Sequence, residues 1–170
     1  MSASVVLVNE RDEAIGTMEK MEAHEKGLLH RAFSVFVFNK EGLLLLQRRA
    51  LTKYHSAGLW TNTCCSHPFP NEAVADAAVR RLKEELGFTT PLTKIFDFKY
   101  KAAFDNGLVE HEFDHVFVGE YEGDVQLNPE EVHEIKYVSL DEVEADMKLH
   151  PDQYTAWFHI ALPKLMEQLQ

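Results

Sequence analysis

A helix-forming segment lies between two pairs of strand-forming segments, and this order limits the possible folds more than any other feature of the sequence. Residues 71–86 begin with Asn71, a favourable N-cap, and are followed by Gly87, a common helix stop. Between them, apolar residues recur at every fourth position and give the predicted helix one buried face: Val74, Ala78, Leu82 and Leu86.

The segments on both sides of this helix have strand patterns. Before it, residues 31–38 and 43–47 are apolar runs joined by a short polar segment that ends in glycine, which predicts a hairpin of buried strands. After it, residues 95–103 and 110–121 are alternating or aromatic-rich and are separated by an Asp-Asn-Gly turn. This second pattern predicts another hairpin.

The C-terminal part adds three further elements. They are a strand at residues 132–138, a short helix at 140–147 capped by Ser139, and a final helix at 151–170 that Pro163 bends. Strands on both sides of one helix, mostly joined as hairpins, predict an α+β fold with a mixed β-sheet and flanking helices, and not a doubly wound parallel sheet. A length of 170 residues indicates one domain, assigned to residues 1–170 with a core at about 28–162.

Composition excludes several classes of function. A net charge of −11 argues against a nucleic-acid-binding protein, since the phosphate backbone is bound by excess cations. No stretch approaches the ~20 apolar residues of a membrane span. The N-terminal segment has no basic region and does not resemble a secretory signal. The two cysteines, Cys64 and Cys65, are adjacent and cannot join distant segments, so we expect a cytoplasmic protein.

Cations are concentrated in two short segments of this acidic chain. Six of the 17 lysines and arginines occur there: Arg48, Arg49, Lys53, Arg80, Arg81 and Lys83. Arginine forks and lysine ammonium groups in such numbers are typical of a phosphate or diphosphate site. On charge alone, a pair of solvated surfaces explains them equally well.

Several histidines and glutamates could converge as metal ligands, although their spacing alone is a weak signal and His24 and His30, six residues apart, would have to meet through a loop. In extended segments side chains alternate, so Cys65 and His67 share one face while Cys64 faces away, and Glu110 and Glu112 also share a face. Oxygen and imidazole donors could fill most of an octahedral site for manganese or magnesium, better than a four-coordinate zinc site. Surface histidines and a solvated strand edge are the alternative explanation. The candidate ligands are His24, His30, His67, Glu110 and Glu112.

Residues 72–88 resemble the Nudix box, a strand-loop-helix motif that places glutamates on metal-bound diphosphates. The box has an opening glycine and a glutamate after its arginine, whereas this chain has Ser66 and Arg81 at those positions. Loss of that glutamate favours direct capture of phosphate oxygens over hydrolysis. The matching positions are Glu72, Arg80, Leu82, Glu84, Glu85, Gly87 and Phe88.

The sequence GLWTNTCCSHP at residues 58–68 resembles the active-site strand of the type I isopentenyl diphosphate isomerases, a family with the Nudix fold. The resemblance spans about Val8 to Ala161, and several separate motifs occur in the right order. The other matching positions are Lys20, His24, His30, Arg49, Lys53, residues 110–112 and Trp157.

This resemblance implies a role for each matching residue. Cys65 and Glu112 are the implied catalytic groups, and Tyr100 lies next to the acid. Glu85 and Cys65 are implied to hold a magnesium ion with the substrate diphosphate, and Trp157 to stabilise a carbocation through its indole face. The implied diphosphate-binding residues are Lys20, Arg49, Lys53 and Arg81. One tightly bound divalent ion (Mn²⁺, Mg²⁺ or Zn²⁺) is implied at His24, His30, His67, Glu110 and Glu112.

The implied activity is the interconversion of isopentenyl and dimethylallyl diphosphate through a tertiary carbocation, a step of isoprenoid biosynthesis. It requires a small-molecule diphosphate substrate and no obligatory protein partner. Either Cys65 or Glu112 could protonate first, since the reaction is reversible. The alternatives are a Nudix diphosphohydrolase and a non-catalytic metal- or nucleotide-binding module.

Overall fold

The computed structural model describes residues 3–169 of the chain. The predicted domain, residues 1–170, also includes Met1, Ser2 and Gln170, and the predicted final helix includes Gln170; these three residues lie outside the described range. The strands are β1 Ser4–Val8, β2 Ala14–Glu19, β3 His30–Phe38, β4 Leu44–Arg49, β5 Trp60–Thr61, β6 Cys64–Ser66, β7 Thr93–Ala103, β8 Val109–Glu120 and β9 Val132–Val138. The helices are α1 Lys20–Lys26, α2 Val74–Leu86, α3 Leu140–Leu149 and α4 Ala156–Gln168. None of these helices is long and apolar enough to cross a membrane.

Strand β3 organises a mixed sheet. One of its edges pairs with β8 in parallel along its whole length, with His30 opposite Glu112 and Phe38 opposite Glu120. Strands β1, β6 and β4 pair antiparallel with β3 at successive positions along the other edge. Strand β7 continues the sheet beyond β8 as an antiparallel partner. The predicted α+β fold with a mixed sheet and flanking helices is therefore confirmed.

Helices cover both faces of the sheet because side chains alternate along β3. On one face Phe33 and Val35 are buried with Leu82 of α2. On the other face Phe36 is buried with Trp157 and other residues of α4. The cores on the two sides of β3 thus hold α2 and α4 against opposite faces.

The hairpin after α2 is confirmed, and the hairpin before it is confirmed only as a tight turn with a very short antiparallel ladder. Strands β7 and β8 pair antiparallel from Thr93 to Ala103. Strands β3 and β4 both exist, but their ladder contains only the pair Phe38 and Leu44. Strand β4 separates from β3 because it pairs with β9 along Leu44–Arg49 and with β5 on its other edge. The predicted strand at 132–138 is confirmed as β9.

The helix predictions are correct in position and partly wrong at the ends. Gly87 ends α2 in the left-handed conformation with φ of 75°, as predicted. Asn71 is not the N-cap of α2, because it has a positive φ of 67°, whereas N-caps are extended. Ser139 caps α3 as predicted, accepting a hydrogen bond from the backbone N–H of Glu142.

The predicted helix at residues 151–170 is interrupted. A short 3₁₀ turn at Pro151–Gln153 precedes α4, and Pro163 lies inside α4. Residues between the two helical pieces are extended because the N–H of Thr155 donates to the carbonyl of Trp60 in β5. A tertiary hydrogen bond therefore overrides the local helical pattern there.

The N-terminal elements β1, β2 and α1 were not predicted from sequence. Gly27 ends α1 with φ of 66°, and a Cβ at this position would approach Val109 of β8 to 3.2 Å. Glycine therefore allows both the left-handed turn and the close approach of the chain to β8. This turn brings His24 of α1 and His30 of β3 together, with ring centroids 5.1 Å apart.

Candidate active site

Most of the predicted site residues surround one cavity of about 240 Å³. His24, His30 and Tyr100 are not among its lining residues and are buried beside it. The predicted residues that line the cavity are Lys20, Arg49, Lys53, Cys65, His67, Arg81, Glu85, Glu110, Glu112 and Trp157.

The predicted metal ligands converge at one end of the cavity from four elements. His24 comes from α1, His30 begins β3, His67 follows β6, and the two glutamates lie on β8. The Oε2 atom of Glu112 lies 2.8 Å from Nε2 of His67 and 3.4 Å from Nε2 of His30. Nε2 of His24 lies 3.5 Å from Oε2 of Glu110. The strand register explains part of this cluster, since His30 and Glu112 are direct partners.

Backbone carbonyls orient two of these imidazoles. Nδ1 of His24 donates to the carbonyl of Lys20 at 2.7 Å, and Nδ1 of His30 donates to that of Leu28 at 2.9 Å. A hydrogen on Nδ1 leaves the Nε2 lone pair free for a metal ion, which is the usual arrangement at metal-binding histidines. The outer hydrogen bonds therefore present both Nε2 atoms to the glutamates.

The donor set fits a divalent ion. Nε2 of His24 is buried without a hydrogen-bond partner in the described part of the chain, as expected of an atom directed at an ion. Donor atoms of His24, His30, His67 and Glu112 lie within 4.8 Å of one another, and so do those of His24, His55 and Glu110. Mixed imidazole and carboxylate ligands suit Mn²⁺, Zn²⁺ and related ions.

The charge states of these groups are those that bind metals. Burial and the charge of Glu110 raise the pKa of Glu112, but His30 and His67 outweigh them and lower it to about 2. Burial lowers the pKa of His67 to about 4, despite its hydrogen bond to Glu112. At neutral pH the carboxylate is therefore ionised and the imidazole of His67 is neutral.

Tyr100 fixes both glutamates from the neighbouring strand. It lies opposite Glu112 in the β7–β8 ladder, and its hydroxyl donates to Glu112 Oε1 at 2.6 Å and also contacts Glu110. Burial raises the pKa of Tyr100 well above its ordinary value, so this hydroxyl remains a donor at neutral pH.

The two cysteines face opposite sides of the sheet, as the alternation predicts. Cys64 is buried in the core beneath α2, whereas Cys65 packs on the other face and lines the cavity. Burial raises the pKa of the Cys65 thiol well above its usual value, although Arg49 opposes this. Cys65 is therefore a protonated thiol at neutral pH.

Cations occupy the other end of the cavity, and two of them, Lys53 and Arg81, are already paired with carboxylates. Arg81 contacts Glu85 at 2.8 Å and Glu131 at 3.2 Å, and Lys53 also forms an ion pair with Glu131. Arg49 is buried with no hydrogen-bond partner for Nε among the described residues, and its guanidinium lies 5.2 Å from the Trp157 ring.

Two of the three remaining cations of the basic segments form ion pairs with carboxylates. Arg48 pairs with Glu134 at 3.1 Å, and Arg80 pairs with Glu72 at 2.8 Å. Lys83 is exposed. The solvated-surface explanation thus applies to Arg48 and Lys83, which do not line the cavity. Arg80 lines it, but its ion pairs hold Glu72 and Glu84 in place.

Two residues of the site were missed by sequence reasoning. His55 is buried beside Glu110, and Glu131 is half-buried between Lys53 and Arg81. His55 is close to Lys53 in the chain, which is a weak signal that could have identified it. No local spacing relates Glu131 to the basic segments, because the contact joins residues 78 positions apart.

Comparison with known proteins agrees with this geometry. Residues 28–158 match the NUDIX domain family, so the chain belongs to the class of proteins with a NUDIX domain. A solved structure from Deinococcus radiodurans has a TM-score of 0.79 at 17% identity and covers 95% of this chain and 98% of its own. The structure of a MutT protein from Methanosarcina mazei has a TM-score of 0.67 at 20% identity and covers 84% of this chain and 96% of its own. These two show the fold alone.

Curated relatives define a narrower group. The isopentenyl-diphosphate Delta-isomerase of Pectobacterium atrosepticum is 50% identical over 98% of this chain and 93% of its own length. Isopentenyl-diphosphate Delta-isomerase 2 of Aromatoleum aromaticum is 57% identical over 77% of this chain and 69% of its own length. The chain therefore belongs to the isopentenyl-diphosphate Delta-isomerase family of Nudix proteins.

Proposed function

We propose that this chain interconverts isopentenyl diphosphate and dimethylallyl diphosphate, with Cys65 and Glu112 as the two proton-transfer groups. One observation carries the proposal. A single cavity joins the four predicted diphosphate-binding cations to a protonated thiol and an ionised carboxylate. Cys65 and Glu112 belong to β6 and β8, which pair with opposite edges of β3, so they approach the cavity from two sides.

The reaction needs two proton transfers at different carbons. A proton is added to the terminal carbon of the double bond, and positive charge develops at the adjacent branched carbon. A proton is then lost from the next carbon, and its C–H electrons form the new double bond. An alkene is a very weak base, so a correctly placed acid and base are required. A thiol and a carboxylate on two sides of a narrow cavity satisfy this requirement.

The cationic residues would hold the diphosphate. Lys20, Arg49, Lys53 and Arg81 all line the cavity, and the unpartnered Nε of Arg49 can donate to a phosphate oxygen. Binding energy from this remote group positions the hydrocarbon at the reacting centre. Glu85, buried beside Arg81, would share a magnesium ion with the diphosphate, together with Cys65.

Trp157 would protect the cationic intermediate. Its ring lines the cavity and is buried, with its indole N–H donating to Asn62 at 3.2 Å. An indole face stabilises a desolvated cation by on the order of 2 kcal/mol and has no lone pair that would attack the cation. Because Asn62 fixes the ring, the indole face is already in place when the positive charge develops.

The metal ligands would make the catalytic carboxylate rigid. His24, His30, His67, Glu110 and Glu112 would hold one tightly bound Mn²⁺, Mg²⁺ or Zn²⁺, separate from the magnesium of the substrate. Such an ion supplies a positive field that tunes the acidity of Glu112. Tyr100 holds the same carboxylate from the opposite side through Oε1.

We further propose a cytoplasmic location for this enzyme. Both cysteines are free thiols, which is typical of a reducing cytoplasm. The proposed substrate is a small-molecule diphosphate of isoprenoid biosynthesis, and the proposed chemistry needs no protein partner, nucleic acid or membrane.

Magnetic resonance in deuterated water tests the activity. The protein is incubated with isopentenyl diphosphate and magnesium, and the carbon-bound deuterium and phosphorus signals are measured. We expect dimethylallyl diphosphate that carries solvent deuterium, with the diphosphate intact, because Cys65 and Glu112 exchange protons with water between turnovers. Cleaved diphosphate without carbon-bound deuterium would identify a hydrolase, and unchanged signals would identify a binding module. Either outcome would refute the proposal.

A further inference from the structure

His55 lies against the metal ligands but is outside the set that the family resemblance implies. It follows β4 in a loop and is buried, with 5% of its surface exposed. We propose that His55 is a sixth ligand of the buried metal ion and binds it through Nε2. This inference rests on the metal site of the proposed function and adds one residue to it.

The position of Nε2 supports direct ligation. This atom lies 3.0 Å from Oε2 of Glu110, yet it makes no hydrogen bond of acceptable geometry in the described part of the chain. Nε2 of His24 is likewise buried and unpartnered, 3.5 Å from the same carboxylate oxygen. The three donors lie within 4.8 Å of one another. Two unpartnered nitrogens beside one carboxylate oxygen are the arrangement expected around a shared cation.

The surroundings of His55 determine which nitrogen faces the site. Nδ1 lies 3.1 Å from the hydroxyl of Ser56, so Nε2 is the atom turned toward Glu110. The ring stacks on Phe104 with centroids 4.5 Å apart and planes 5° from parallel. Tyr54 and Trp157 pack against it edge to face. Aromatic contacts on several sides leave little freedom for the ring to rotate.

Coordination chemistry gives the extra ligand a purpose. The five ligands implied by the resemblance leave one position of an octahedron to a water molecule or a second carboxylate oxygen. An imidazole at this position completes a set of four nitrogens and two carboxylates from the protein. A site closed by six protein donors would hold its ion tightly and leave no position on it for water.

Counting the nitrogens bound to the metal tests the proposal. The full-length protein, labelled with ¹⁵N-histidine, is loaded with Mn²⁺ and examined by pulsed paramagnetic resonance. We expect four coupled histidine nitrogens in the wild type and three in His55→Phe and His55→Gln. The Phe variant retains the stacking on Phe104 without a ligand atom. His133→Gln, which changes an exposed histidine of β9, is the matched control and should keep four.

Metal affinity provides a second measurement. Loss of an outer-shell partner typically costs 10–100-fold in affinity, so loss of a direct ligand should weaken Mn²⁺ binding by at least about 100-fold in a chelator competition. Three nitrogens in the wild type, or unchanged affinity in both His55 variants, would overturn the proposal and make His55 only a neighbour of Glu110. If neither variant folds, the wild-type nitrogen count decides. A wild-type protein that binds no Mn²⁺ through histidine would instead refute the metal site itself.

Discussion

The two ends of the cavity are organised in opposite ways. At the metal end, formed by His24, His30, His67, Glu110 and Glu112, backbone carbonyls and Tyr100 hold the ligands from outside while inner donor atoms face one another. At the cationic end, formed by Lys20, Arg49, Lys53 and Arg81, the charges of Lys53 and Arg81 are already paired with Glu85 and Glu131.

This difference indicates how each end binds its ligand. An ion at the metal end would give the buried, unpartnered Nε2 of His24 a contact that it otherwise lacks. A diphosphate bound at the cationic end as proposed would have to replace the internal ion pairs of Lys53 and Arg81, so part of its binding energy would be offset. The first arrangement suits a permanent ion, and the second suits a substrate that must leave as product after each turnover.

Removal of the thiol between the two ends should have the largest effect. Cys65→Ala should lower kcat by about 10²–10⁴-fold, the usual contribution of one acid–base group. The affinity for the diphosphate should hardly change, because the cationic end is intact. Steady-state kinetics and calorimetric titration measure the two quantities. Cys64→Ser, on the opposite face, is the control, and a greater loss of kcat there would contradict the assigned strand register.

Stepwise chelation should separate the two ends by affinity. A weak chelator should remove the magnesium and stop turnover while the tight ion stays bound. A strong chelator should also remove that ion and abolish about 4 kcal/mol of stabilisation, the value for a ligand present at 1,000 times its dissociation constant. Elemental analysis and thermal denaturation follow the two steps. Full activity and unchanged stability after strong chelation would show that neither ion contributes.

Loss of a cation should affect substrate binding more than chemistry. Arg81→Gln removes charge-assisted hydrogen bonds worth about 1.5–3 kcal/mol, so KM should rise roughly 10- to 100-fold with a smaller change in kcat. Arg48→Gln is the matched control, since Arg48 pairs with Glu134 outside the cavity. If Arg81→Gln instead lowered kcat by the same factor and left KM constant, Arg81 would act in the chemical step.

The smallest effect should come from the carboxylate that neutralises the cationic end. Glu131→Gln should lower KM by a few fold, because the diphosphate would no longer have to replace Glu131 as the partner of Lys53 and Arg81. Exposed or half-buried ion pairs of this kind contribute about 0.2–1 kcal/mol. Glu130→Gln, at the exposed neighbouring position, should leave KM unchanged. A higher KM in Glu131→Gln would mean that Glu131 supports diphosphate binding.

Local patterns in the sequence determined several parts of this protein. The four-residue period predicts α2, and the turn between β7 and β8 predicts their hairpin. Alternation also separates Cys65 from Cys64. These inferences succeed because each depends on the geometry of a few consecutive residues, which is nearly the same in any fold.

Only the tertiary structure decided how these pieces meet. Strand β3 pairs with β8 in parallel and leaves β4 after a single antiparallel pair, although β4 follows it directly in sequence. The contacts of His55 with Glu110 and of Glu131 with Arg81 likewise join distant segments. Such contacts depend on which strand edges and helix faces are buried together. That choice is made by the packing energy of the whole chain, and no short stretch of sequence contains it.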